Sequence, residues 1–162
     1  MLFESIMQFN TDGSTWDCGS DAYGASGAFD LGATIPTLQN TDEVMWWIQV
    51  TALPTSDGAT YQFILRCSAT TDGTDLNGTV VSVLTTPAWV GSGSFLQRTS
   101  HEGGFFSVSV PQVMNFRYWE MYVEYTANGG AGDLYIQAGL ALKSAIIHRV
   151  RNLSQLSGIV CC

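Results

Sequence analysis

Residues 117–126 read Arg-Tyr-Trp-Glu-Met-Tyr-Val-Glu-Tyr-Thr. Successive side chains of an extended chain point to opposite faces. Trp119, Met121, Val123 and Tyr125 therefore share one face, and Tyr118, Glu120, Tyr122 and Glu124 the other. Large hydrophobes on one side and acids on the other describe a half-buried antiparallel strand whose acids face water.

The same period extends outward in both directions. Asn128-Gly129-Gly130 makes a turn, and residues 134–142 then place Leu134, Ile136, Ala138, Leu140 and Leu142 inward. Upstream, residues 60–68 set Tyr61, Phe63, Leu65 and Cys67 against Gln62, Ile64, Arg66 and Ser68. Residues 44–53 alternate around Trp46, Ile48 and Val50; residues 79–85 form a strand stopped by Pro87; residues 104–110 set Phe106, Val108 and Val110 against Phe105, Ser107 and Ser109. Residues 3–9 and 28–31 add two short strands, and residues 69–78 read as a long polar loop. The expected fold class is all-β, a single jelly-roll β-sandwich of about eight antiparallel strands. A chain of 162 residues suits one such domain. The expected boundaries are 1–142 for the sandwich and 143–162 for a C-terminal extension.

Charge separates the same two parts. The chain has 14 acids, 6 bases and a net charge of −8. Every acid lies at or before Asp133, and the 1–142 segment carries only Arg66, Arg98 and Arg117, which leaves it at −11. Such a body repels phosphate backbones, so no nucleic-acid partner is expected. No apolar run reaches the ~20 residues of a spanning helix, so no membrane partner is expected. Met1-Leu2-Phe3-Glu4-Ser5 has an acid where a signal peptide has a base, which points to a protein made in a cytoplasm. The extension holds Lys143, Arg149 and Arg151 and no acid. Ile146, Val150, Leu153, Leu156 and Val160 follow helix-like spacing, and a short amphipathic helix or an extended arm both fit. An apolar, basic stripe beyond a finished sandwich needs a partner surface. Lys143, Ile146, Arg149, Val150, Arg151, Leu153 and Leu156 are accordingly candidate protein-interface residues. Trp47 joins them, because adjacent Trp46 and Trp47 must point to opposite faces, and an exposed indole there would mark an interface or a sugar site.

The search for chemistry yields no catalytic, cofactor or metal site, and no enzyme is expected. His101 and His148 sit in no triad motif and have no partner at helical spacing. Glu120 and Glu124 lie about 13 Å apart along one strand face at ~3.3 Å per residue, too far for a glycosidase pair. Asp72, Asp75 and Asn77 do not keep the alternate spacing of a calcium loop and read as turn formers. The Gly-rich stretches 91–93 and 129–132 lack the setting of a phosphate loop. Cys18, Cys67, Cys161 and Cys162 show no metal-binding spacing; they read as reduced thiols, Cys67 as a core residue. An interchain disulfide through the terminal pair is the alternative. Asn77-Gly78-Thr79 and Asn152-Leu153-Ser154 are glycosylation sequons that count only for a secreted chain.

Several segments run in one order: Met1-Leu2-Phe3-Glu4 leading to Phe9; Phe29-Asp30-Leu31-Gly32-Ala33; Leu65 to Asp72; Ser82-Val83-Leu84-Thr85-Thr86-Pro87-Ala88; Arg117-Tyr118 through Tyr125-Thr126; and Ile136-Gln137-Ala138-Gly139-Leu140. Across residues 1–142 this order resembles the jelly-roll cement, or decoration, proteins of short-tailed double-stranded DNA phages. The resemblance implies a virion protein on the capsid exterior, a homotrimer that bridges capsomers of the icosahedral shell, with the major capsid protein as partner and no cofactor. It does not cover residues 143–162. Two other readings stand beside it. One is a carbohydrate- or receptor-binding module of a phage tail or fibre, motivated by 12% aromatic content. The other is a small hydrolase using paired acids.

Overall fold

The computed structural model describes residues 7–9, 16–19, 22–23, 27–31, 43–53, 58–91, 106–111, 116–128 and 134–144. The strands are β1 (Met7–Gln8), β2 (Trp16–Asp17), β3 (Ala22–Tyr23), β4 (Phe29–Asp30), β5 (Val44–Ala52), β6 (Thr60–Ser68), β7 (Thr70–Thr71), β8 (Leu76–Asn77), β9 (Val81–Thr85), β10 (Trp89–Val90), β11 (Phe106–Ser109), β12 (Tyr118–Thr126) and β13 (Tyr135–Leu142). All pairings are antiparallel.

Six of the short strands fall in pairs on three sheet edges. β1 and β2 lie on one edge of β13, β3 and β4 on one edge of β12, and β9 and β10 on one edge of β6. Taken as single strands, they leave eight strands in two main sheets, apart from the small β7–β8 pair. One sheet runs β1/β2, β13, β5, β11 and the other runs β9/β10, β6, β12, β3/β4. In chain order these are strands 1-8-3-6 and 5-4-7-2, the two-sheet arrangement of a jelly roll.

The core lies between the sheets. Trp46, Ile48, Val50, Ile136, Ala138 and Leu140 meet Tyr61, Phe63, Leu65, Cys67, Trp119, Met121 and Val123 in one buried cluster. An aromatic relay joins the sheets at one end. Phe63 packs on Trp89 (centroids 5.5 Å apart), Trp89 on Phe106 (5.4 Å), and Phe106 edge-on against Trp46 (5.8 Å). Tilted and edge-on pairs are the favoured geometry for ring quadrupoles.

The break between β9 and β10 shows how local chemistry shapes an edge. Pro87 has no N–H to donate and is tolerated at a sheet edge. Thr86 repairs the ladder beside it. Its N–H donates to the Phe63 carbonyl (2.9 Å), and its Oγ1 accepts the Phe63 N–H (3.0 Å). Gln62 Nε2 donates to the Thr86 carbonyl at 2.8 Å.

Two expectations need correction. The 69–78 loop is a hairpin, β7–β8, closed over the outer face of the β6–β12 sheet. Glu120, expected among the water-facing acids, is 1% exposed beneath it. Glu124 on the same face is exposed.

Candidate functional site

The outer face of the β5–β13 pair carries one of the residues marked by the sequence, Trp47, and the end of β13 leads into another, Lys143. Trp47 lies opposite Gly139 on β13 and Ser107 on β11, in a cluster with Ala141 and half-buried Met45. It faces away from the main core, as alternation with Trp46 requires. Its exposure is only 3%, which overturns the expectation of a solvent-facing indole. A buried indole offers no face for stacking a sugar. Trp47→Ala is therefore expected to lower unfolding stability by about 3 kcal/mol, at the low end for a buried tryptophan. Urea denaturation checks this, and an unchanged midpoint would return Trp47 to the surface.

Lys143 follows directly. Its N–H donates to the Glu43 carbonyl (2.8 Å), extending the β5–β13 ladder, and its Nζ pairs with Glu43 Oε2 at 2.9 Å. Both side chains are about half exposed, so this ion pair contributes little stability, on the order of 0–1 kcal/mol. Lys143 and Ser144 carry helical backbone. Ile146, Arg149, Val150, Arg151, Leu153, Leu156 and Val160 lie outside the described residues, as do His101, His148, Cys161, Cys162 and the second sequon.

The second constellation was not read from the sequence. Arg66 on β6 stands opposite Glu120 on β12. Its Nη2 pairs with Glu120 Oε1, and its guanidinium lies over the Tyr122 ring, 4.8 Å from the centroid. The other carboxylate oxygen accepts the Leu76 N–H of the hairpin at 3.4 Å. Charge-assisted bonds on both oxygens offset the cost of taking the carboxylate from water. The signal was present in principle: Arg66 and Glu120 both fall on the outward phase of their strands. Only the register between β6 and β12 shows that they meet.

The hairpin over this pair is built by short polar side chains. Asp72 Oδ1 accepts the backbone N–H of Asp75 (2.9 Å), the backbone N–H of Thr74 (3.0 Å) and the Thr74 hydroxyl (3.1 Å). Those donors, Asp75 first, hold its carboxyl below the ordinary aspartate value. The geometry is that of a side-chain turn. Gly73 (φ +109°) and Gly78 (φ +73°) take left-handed backbone that other residues resist. The tip docks on the chain before β4, where the Ala28 N–H donates to the Thr74 carbonyl at 2.5 Å.

A depressed folded-state carboxyl stabilises the turn above its unfolded value, and this contribution is lost as pH falls through the folded one. Amide protection at Thr74 and Asp75 should therefore hold from neutrality down to about pH 4 and decline below it. Hydrogen exchange followed by NMR against pH tests this, with Asp72→Ala removing the dependence. A steady loss starting near neutrality would contradict it.

On the opposite side of β12, Arg117 makes a two-pronged pair with Asp30 (2.5 and 2.6 Å) and lies over the Tyr118 ring at 5.4 Å. The Asp30 carboxylate raises the Arg117 pKa above its usual value. Cys18 and Cys67 are buried thiols. Burial first, then the charge of Asp17, pushes Cys18 up; burial pushes Cys67 up to about 12. Neither is a thiolate near neutrality, and only the thiolate is a nucleophile. No group of three or more His, Cys, Asp or Glu able to hold a metal occurs among the described residues. No helix among them is long and apolar enough to cross a membrane. No protein-family model, curated protein or solved structure matches the chain.

Proposed function

We propose that the protein is a structural virion component: a cement or decoration protein that binds the outside of an icosahedral shell as a homotrimer and stabilises contacts between capsomers. The major capsid protein is its partner in this reading. The observation that supports it is the strand order 1-8-3-6 over 5-4-7-2, the jelly-roll architecture that the cement-protein resemblance implies. Arg66–Glu120, Asp30–Arg117 and Glu43–Lys143 each tie one strand or its flank to its neighbour in the same sheet. The acidic body also keeps the protein off packaged nucleic acid during assembly.

In this proposal the basic, apolar residues after Ser144 reach the shell from the end of β13. The test is stoichiometry. In purified particles, labelled-peptide mass spectrometry should find this protein near parity with the major shell protein. A chain lacking residues 145–162 should keep its unfolding transition and be lost from particles at lower denaturant. A handful of copies per particle overturns the cement reading and favours a fibre component. Unchanged attachment of the shortened chain removes the extension from the interface.

A further inference from the structure

The sequence Asn77-Gly78 closes the hairpin that covers Glu120, and both residues are exposed. The Gly78 N–H donates to the side-chain Oδ1 of Asn77 at 2.6 Å and has no other partner among the described residues. Its nitrogen thus stays out of the β7–β8 ladder. Oδ1 is bonded to Cγ, about 1.2 Å away, so the Gly78 nitrogen already stands beside the carbon it would attack. The preceding segment is fixed. The Asn77 main-chain carbonyl accepts the Ser68 hydroxyl (2.5 Å) and the Thr70 hydroxyl (2.7 Å). A glycine after asparagine leaves the attacking nitrogen without a flanking Cβ. Holding two reacting groups close, with solvent at hand, favours an intramolecular path over direct hydrolysis.

We propose that Asn77 is a self-modifying site that deamidates in the folded protein through a cyclic imide with Gly78. The Gly78 nitrogen loses its proton to hydroxide and attacks Asn77 Cγ. The N–Cγ bond forms as the Cγ–Nδ2 bond breaks, and Nδ2 leaves as ammonia with a proton from water. One water then opens the ring. Opening at Cγ gives aspartate; opening at the main-chain carbonyl gives isoaspartate, with the chain continuing through Cβ and Cγ. No electrons are exchanged. The isoaspartyl product adds a methylene to the main chain and turns the carbonyl that anchors Ser68 and Thr70 into a free carboxylate. It therefore loosens the hairpin and uncovers Glu120.

The test uses the intact protein, kept in warm, mildly alkaline buffer and then cut with trypsin. The peptide 67–98 holds Asn77 as its single asparagine. It should gain one mass unit and separate into aspartyl and isoaspartyl forms. In the isoaspartyl protein, hydrogen exchange across residues 70–78 should quicken. The Asn77→Gln variant needs a larger ring, and the gain should slow by about tenfold or more. If the native protein leaves 67–98 unchanged while the same peptide, freed beforehand, deamidates, the fold protects the site and the proposal falls. An equal gain in Asn77→Gln would assign the change to Gln97 and also overturn it. Unchanged exchange in the isoaspartyl protein would end the link to the hairpin.

Discussion

Replacing Arg66 with methionine is expected to lower the unfolding free energy by about 3 kcal/mol, the low end for breaking a buried ion pair. The size comes from what is left behind. Glu120 is 1% exposed, and its Oε1 would lose its cationic partner while the hairpin still seals it from water. The Arg66 side chain keeps 21% exposure, so a relaxing hairpin can admit some water, which sets the low end. Methionine keeps most of the aliphatic stem but loses the guanidinium that lies over the Tyr122 ring, so the loss reports both the ion pair and that ring contact. Removing both charges should behave differently. Arg66→Met with Glu120→Leu leaves no buried ion, and such replacements are often neutral or stabilising by about 1–4 kcal/mol. Urea unfolding of the two single variants and the double variant closes the cycle. A single Arg66→Met variant as stable as the parent would mean that Glu120 is not sealed.

That pair also shows what could be read from the sequence. The long strands were legible because their faces differ: Trp119, Met121 and Val123 against Tyr118, Tyr122 and Glu124 is a period-two pattern with few other readings. Alternation assigns a residue to a face, and it does not say whether that face is covered. Glu120 and Glu124 have the same phase, yet one is sealed and one is wet. The hairpin that separates their fates arises from hydroxyl and carboxylate bonds at Ser68, Thr70, Thr71 and Asp72. These residues carry no hydrophobic period, so they read as loop. The exposure expected of Trp47 was overturned for the same reason: the phase was right, and its burial depends on neighbours that phase does not name. The two-residue strands β2, β3 and β10 were missed because each is too short to show a pattern. Among the candidate contact residues, Lys143 is placed by the end of β13, beside Glu43.

Trp46→Ala is expected to be the most damaging single change in the sandwich, costing about 3–5 kcal/mol. Trp46 is 1% exposed and belongs to β5 in one sheet, while its indole N–H donates to Met121 Sδ on β12 in the other, at 3.4 Å. Alanine would remove that link, the edge-on contact with Phe106 and a large volume from a site walled by strands on both sides. Two rigid sheets cannot close on the gap as a loop can, so the cavity term stays. Domains of this kind hold about 5–15 kcal/mol in all, so the variant should unfold at markedly lower urea with an unchanged slope. Trp46→Phe should recover most of the loss by refilling the volume, whereas Trp47→Ala should lose less because its cluster is small. A Trp46→Ala midpoint near that of the parent would place the indole outside the core. The proposed role adds a further expectation. A partner that binds only the folded chain stabilises it by about 2.7 kcal/mol at a hundredfold excess over its Kd. On shells, Trp46→Ala and the parent should therefore both unfold at higher temperature than they do free in solution, with the gap between them kept, and no rise on shells for either would argue against a shell-bound state.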